Sequence, residues 1–177
     1  MANIKHLTVR RCHFANVWEG IDFTANVGED FFYEDNTTSD TFTFGFKLAH
    51  PKQNGKMVNC TSYGAGNTGF VMEPEMENIE FIHCHAVETG ANGYWTKEDG
   101  SRLMTTAGFK LDTRNRAVTP LRVTFDKCTA INTNHPSTMD FGFICDDGID
   151  PAKRQIIAID CAVQGARVKG IQGIVTK

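Results

Sequence analysis

The stretch Ile79-Glu-Phe-Ile-His-Cys84-His-Ala86 decides the fold, because the same phrase returns at a fixed interval. It stands as Leu7-Thr-Val-Arg-Arg-Cys12-His-Phe14, as Phe31-Phe-Tyr-Glu-Asp-Asn36-Thr-Thr38 and as Gly55-Lys-Met-Val-Asn-Cys60-Thr-Ser62. The anchors Cys12, Asn36, Cys60 and Cys84 are each 24 residues apart. Two later copies, around Cys128 and Cys161, are spread by longer loops. Nine residues after the last three regular anchors comes a glycine, Gly45, Gly69 and Gly93; Gly20 falls one residue early, and Gly142 and Gly170 follow the later copies. A period in this range marks a stacked repeat, in which no copy buries its own apolar face and its neighbours complete the core.

Periodicity inside the unit selects the kind of solenoid. Leu7/Val9, Phe31/Tyr33, Ile79/Phe81 and Val123/Phe125 alternate with polar residues at period two and are rich in β-branched and aromatic side chains, which is strand spacing. The anchor and the residue two beyond it (Cys60/Ser62, Cys84/Ala86, Cys128/Ala130) alternate again after a change of parity, as if the chain turned a corner. A third pair follows the glycine: Ile21/Phe23, Phe46/Leu48, Phe70/Met72, Phe109/Leu111 and Phe143/Cys145. Helical spacing is sustained nowhere, so leucine-rich, ankyrin and tetratricopeptide units fit poorly. Three short strands per turn predict an all-β chain: a parallel β-helix of about six coils.

The phrase hydrophobic-x-hydrophobic-x-x-[Cys/Asn]-x-[Ala/Phe/Thr], followed by Gly-[Ile/Phe]-x-hydrophobic, resembles the coil of the right-handed parallel β-helix of pectate-lyase-like (pectin-lyase-like) proteins. That superfamily includes polysaccharide lyases, polygalacturonases, uronan epimerases and bacteriophage tailspikes. The resemblance covers nearly all 177 residues and implies a polysaccharide as partner. It also implies a trimer if the chain is similar to a tailspike, with a place on the virion surface. It specifies fold better than activity, because the motif describes inward-facing positions that every member needs. Asp146-Asp147 and Arg167-Val168-Lys169 resemble two of the four polygalacturonase motifs, but no Gly-His-Gly stands between them and no Asn-Thr-Asp precedes.

One domain spanning residues 1–177 is expected, since no Pro/Ser/Gly-rich linker divides the chain. The net charge of −3 is spread out, without the basic stripe of a nucleic-acid binder, and no apolar run is long enough to span a bilayer. Met1-Ala2 leads straight into strand-like sequence, and neither end supplies a capping helix. The chain therefore reads as an excised piece of a larger protein; a short β-helix closed by self-association is the competing reading.

Five of the six cysteines occupy the anchor position, which predicts an internal column of reduced thiols and neither disulfides nor a zinc site. Such thiols suit folding in a bacterial cytoplasm. No histidine pair has metal-ligand or nucleophile-base spacing, and no metal or cofactor is expected. Trp95 and Trp18 are candidate sugar-stacking residues, or covers for a loop or a subunit contact.

Carboxylates are the better place to look for chemistry. Four residues beyond the repeat glycines stand Glu73, Lys97, Asp112 and Asp146, and two beyond stand Asp22, Lys47, Trp95 and Lys110. Asp112 and Asp146 are candidate catalytic acids about 5 Å apart, the separation of a retaining pair. Lys110 beside them is a candidate base or uronate partner. Trp95, Lys47, Glu73 and Asp147 are candidate substrate-binding residues. Three functions remain open on these residues: a glycan-binding β-helix, an active lyase, hydrolase or epimerase, and a structural stalk with a solvated charge ladder.

Overall fold

The computed structural model describes residues 3–73, 75–91, 104–112, 121–145 and 154–177. Among them every strand pairing is parallel, and the strands form three sheets wound as a β-helix. The first sheet, nine-stranded, includes Lys52–Val58, Met76–Ile82, Leu121–Asp126 and Arg154–Ile159. The second runs from His13–Ala15 through Thr37–Ser39, Thr61–Tyr63, His85–Val87 and Thr129–Ile131 to Ala162–Gln164. The third carries Ile21–Thr24, Phe44–Ala49, Thr68–Met72, Ala107–Leu111, Phe141–Cys145 and Lys169–Gln172. Six strands in each of the second and third sheets make six coils.

The inward residues are those the period-two pattern selects. Phe31, Tyr33, Ile79, Phe81, Val123 and Phe125 are each no more than 1% exposed. In the third sheet Phe46, Phe70, Phe109 and Phe143 stack ring on ring, with centroids 4.7, 4.6 and 4.6 Å apart and planes within 5° of parallel. That spacing is the distance between paired strands, so identical residues on successive rungs meet face to face. The exposed apolar side chains Ile4, Phe14, Val168 and Val175 belong to the outermost coils of the stack, each with a neighbour on one side.

Described corners of the coils turn on single residues of positive φ, at the 24-residue interval as far as Glu88 and more widely spaced after the longer loops. One ladder is His6, Asp30, Asn54 and Asn78; a second is Arg11, Asp35, Asn59, His83, Lys127 and Asp160; a third is Asn16, Asp40, Gly64 and Glu88. Asn and Asp enter the left-handed region more readily than other non-glycine residues. In the first two ladders neighbouring rungs bond to one another: His6 pairs with Asp30, Asn78 Nδ2 donates to Asn54 Oδ1 at 3.1 Å, and Asn59 Nδ2 donates to Asp35 Oδ1 at 3.3 Å.

The anchor column forms as expected. Backbone bonds link Thr37 N to Cys12 O, Thr61 N to Asn36 O, His85 N to Cys60 O, Thr129 N to Cys84 O and Ala162 N to Cys128 O. All six cysteines are free thiols, and Cys60, Cys84 and Cys128 are fully buried. Asn36 donates Nδ2 to Val9 O at 2.8 Å and accepts from Cys12 N at 3.0 Å, so its amide serves the turn backbone.

One detail differs from the sequence reading. The third-sheet register opposes Phe70 with Phe109, so Gly108 and not Gly93 is the rung partner of Gly69; an insertion between the coils carries a glycine of its own. The excursion after Ile131 projects only at its tip. Thr133, Asn134, His135 and Pro136 are exposed, but Asn132 is 2% exposed at its base and Met139 returns to the core. Glu88 holds this tip, accepting from Thr133 N at 2.9 Å and from Asn134 Nδ2 at 2.6 Å. Glu98 and Asp99, expected with His135 to project on loops because insertions at solenoid corners leave coil pairing undisturbed, lie outside the described residues.

Candidate functional site

The outer face of the third sheet assembles the charged residues that the spacing singles out. Parallel pairing places Asp22, Lys47, Val71, Lys110 and Ile144 on consecutive rungs of one line. Glu73 and Asp112 directly follow their strands, with amides donating to Leu48 O and Met72 O, so they too stand on adjacent rungs. Trp95, Asp146 and Asp147 lie outside the described residues.

Each lysine of this line is matched to acids. Lys47 Nζ lies 3.4 Å from Glu19 and 3.4 Å from Asp22. Burial works against the Lys47 charge, but Asp22, Glu19 and Glu73 outweigh it and the net shift of its pKa is upward. Burial, helped by Asp22, pushes the Glu19 carboxyl up, with Lys47 opposing. Lys110 is only 6% exposed, and its Nζ lies 3.8 Å from Asp112 Oδ2. Val71, itself buried, separates the two lysines along the line. Among the described residues the edge is an ion-paired ladder, with Lys47 between Glu19 and Asp22 and Lys110 beside Asp112.

Round the neighbouring corner the sheet gives way to a groove of about 500 Å³, lined by Asn16, Val17, Trp18, Asp40, Thr41, Phe42, Gly64, Gly66 and Ala91. Its most exposed aromatic is Trp18, at 61%. The indole stacks on Phe42 with centroids 4.3 Å apart and planes inclined 23°. Trp18 O accepts from Thr43 N and from Thr43 Oγ1, both at 2.9 Å, and Phe42 N donates to Val17 O at 2.9 Å. The platform is therefore held by backbone bonds and by a second ring, and the indole in the first coil of the stack is 61% exposed. Asn16 and Asp40 on the wall belong to the third corner ladder. Their side chains make no hydrogen bond or ion pair with another described residue, unlike the bonded rungs of the other two ladders.

Sequence reasoning placed Trp18 in a turn as a possible sugar platform but missed Asn16, Asp40 and Phe42. Asn16 and Asp40 share the 24-residue offset, and Phe42 follows Trp18 by 24 residues, so the repeat itself carried the signal. Among the described residues no group of three or more His, Cys, Asp or Glu could hold a metal ion.

A solenoid of parallel strands with polar outer faces defines a β-helix protein. The sequence matches the family described as right handed beta helix region over residues 1–109, and the chain belongs to that family. No curated protein and no solved structure gives a significant match.

Proposed function

We propose that this β-helix binds a polysaccharide on its flank, as a tailspike-type or related surface-glycan-associated protein would. The observation that carries the reading is the Trp18 indole, 61% exposed and stacked on Phe42 in an open groove. A solvent-facing aromatic ring offers the C–H face of a pyranose an apolar, low-entropy contact. Unpaired polar groups beside it satisfy hydroxyls, and the rigid coil removes the ordering cost that a loop would incur. Glycan-array binding by the wild-type chain and by Trp18→Ala tests this. Loss of signal in the variant, at an unchanged thermal midpoint, is the expected result.

The enzymatic alternative draws on the near-buried Lys110 and Asp112 pair beside Glu73. Incubation with polysaccharides, followed by reducing-end and unsaturated-uronate readouts, separates it from binding alone. Turnover that disappears in Asp112→Asn would establish it.

A further inference from the structure

We infer that the Trp18 groove selects a polysaccharide without carboxylates, built of neutral hexose or N-acetylhexosamine units, and rejects polyuronates. This rests on the glycan-binding reading above and adds the class of sugar. Two observations carry it. The first is the wall beside the indole: Asp40 lines the groove with Asn16, and the Asp40 carboxylate has no ion-pair partner among the described residues. In the other two ladders Asp30 Oδ2 lies 3.4 Å from His6 Nδ1, and Asp35 Oδ1 accepts from Asn59 Nδ2 at 3.3 Å. The second is the adjoining edge, where Glu19 follows Trp18 directly and, among the described residues, Glu19 and Asp22 set two carboxylates beside the one ammonium group of Lys47.

Among the described residues no lysine or arginine lines the groove. A uronate bound there would bring its carboxylate toward Asp40 without a cation to offset it, and like charges at such range disfavour the complex. A neutral sugar meets no such penalty. Its hydroxyls donate to the Asp40 oxygens, and a charge-assisted hydrogen bond of this kind is among the stronger ones. The Asn16 amide supplies both a donor and an acceptor. Gly64 and Gly66 carry no side chain into the groove, which leaves room for a sugar ring beside Phe42, on the rung next to Trp18.

Affinity electrophoresis tests the inference with galactan, mannan and acetylated chitin oligomers as neutral probes and polygalacturonate and alginate as acidic ones. The wild-type chain should be retarded by at least one neutral probe and at least tenfold less by the acidic ones. Asp40→Asn should narrow that preference, and Asp40→Lys should raise polyuronate binding tenfold or more. Lysine fits the backbone there, since Lys127 and Arg11 hold the same conformation with φ of 51° and 55° in this fold. Equal binding of acidic and neutral probes by the wild type, or no change of preference in Asp40→Lys, would overturn the charge selection while leaving glycan binding intact. Unaltered binding in Trp18→Ala, or no retardation by any probe, would instead remove the underlying reading of the groove.

Discussion

The Lys52 ammonium sits 4.7 Å from the centroid of the Phe23 ring, sealed from solvent at 0% exposure. Lysine is almost never fully buried without compensation, and here the compensation is backbone. Nζ donates to Ala49 O, and to Ala25 O, His50 O and Pro51 O at 3.4 Å each. Burial pushes its pKa down to about 8, with Asp22 and Glu73 pulling the other way. The consequence for stability has a definite sign. Between about pH 8 and 10.5 the unfolded chain holds this proton more firmly than the folded one, so the Lys52 contribution to stability rises across that window. The difference in urea midpoint between wild type and Lys52→Met should shift in favour of the wild type from pH 7.5 to pH 10. A pH-independent difference would refute the buried, depressed ammonium.

Lys52 also shows why part of the molecule was not legible in the sequence. Its cage consists of carbonyl oxygens, which every residue has, so no side-chain pattern announces it. The alternation of Phe31 with Tyr33 and of Ile79 with Phe81 was legible because most coils repeat it at the same offset from the anchor. Gly108 was legible through Phe109 and Leu111, but its pairing with Gly69 was not, because the insertion before it contains Gly93 at the expected offset and a one-dimensional period cannot choose between them. The groove members Asn16, Asp40 and Gly64 come from three coils, and reading for apolar anchors passes over polar residues at the corners. The ladders Asp30, Asn54, Asn78 and Asp35, Asn59 keep the same interval and could have been found by tracking Asn and Asp as closely as Cys.

The thiol column predicts a graded reactivity. Cys60, Cys84, Cys128 and Cys145 are 0% exposed, whereas Cys12 and Cys161 in the outer coils are partly exposed. A disulfide-exchange reagent should label Cys12 and Cys161 first and the four others only on unfolding. Burial pushes the Cys84 thiol well above its ordinary 9.0, so its contribution is present below that pH and is lost as the unfolded thiol ionises above it. Cys84→Ala should therefore show a shallower loss of stability above pH 9. Six equal labelling rates would contradict the column.

The Lys110 and Asp112 side chains are 8% and 15% exposed. Breaking a pair this deep leaves a charge with less compensation, and about 3 kcal/mol is the usual scale of the loss. Asp112→Asn should thus lower the thermal midpoint by roughly 6–12 °C for a chain of this length. The double variant Lys110→Met/Asp112→Leu, which removes both charges, should recover most of it. A midpoint unchanged in Asp112→Asn would mean that solvent screens the pair as it does at an open surface.

The glycine column gives the sharpest internal control, because one structural position carries different crowding in different coils. A Cβ on Gly45 would lie 2.0 Å from Ser62 Oγ and 2.6 Å from Ser62 Cβ; on Gly69 it would lie 2.7 Å from Ala86 Cβ and 2.9 Å from Gly108 O. Here the third sheet passes so close to the inward residues of the second that the glycine of one coil and the small residue two beyond the next coil's anchor are one packing unit. On Gly170, in the last coil, the nearest atom would be Val163 Cβ at 3.6 Å, an ordinary contact. Gly45→Ala and Gly69→Ala should each destabilise by about 1–3 kcal/mol, the scale of an overpacked core. Gly170→Ala should be neutral or stabilising by up to about 1 kcal/mol, through the unfolded chain. Ser62→Gly should relieve much of the Gly45→Ala penalty, giving a favourable coupling in a double-mutant cycle. If all three alanine variants lost stability equally, glycine would be required at this position for its backbone and not for the closeness of the two sheets.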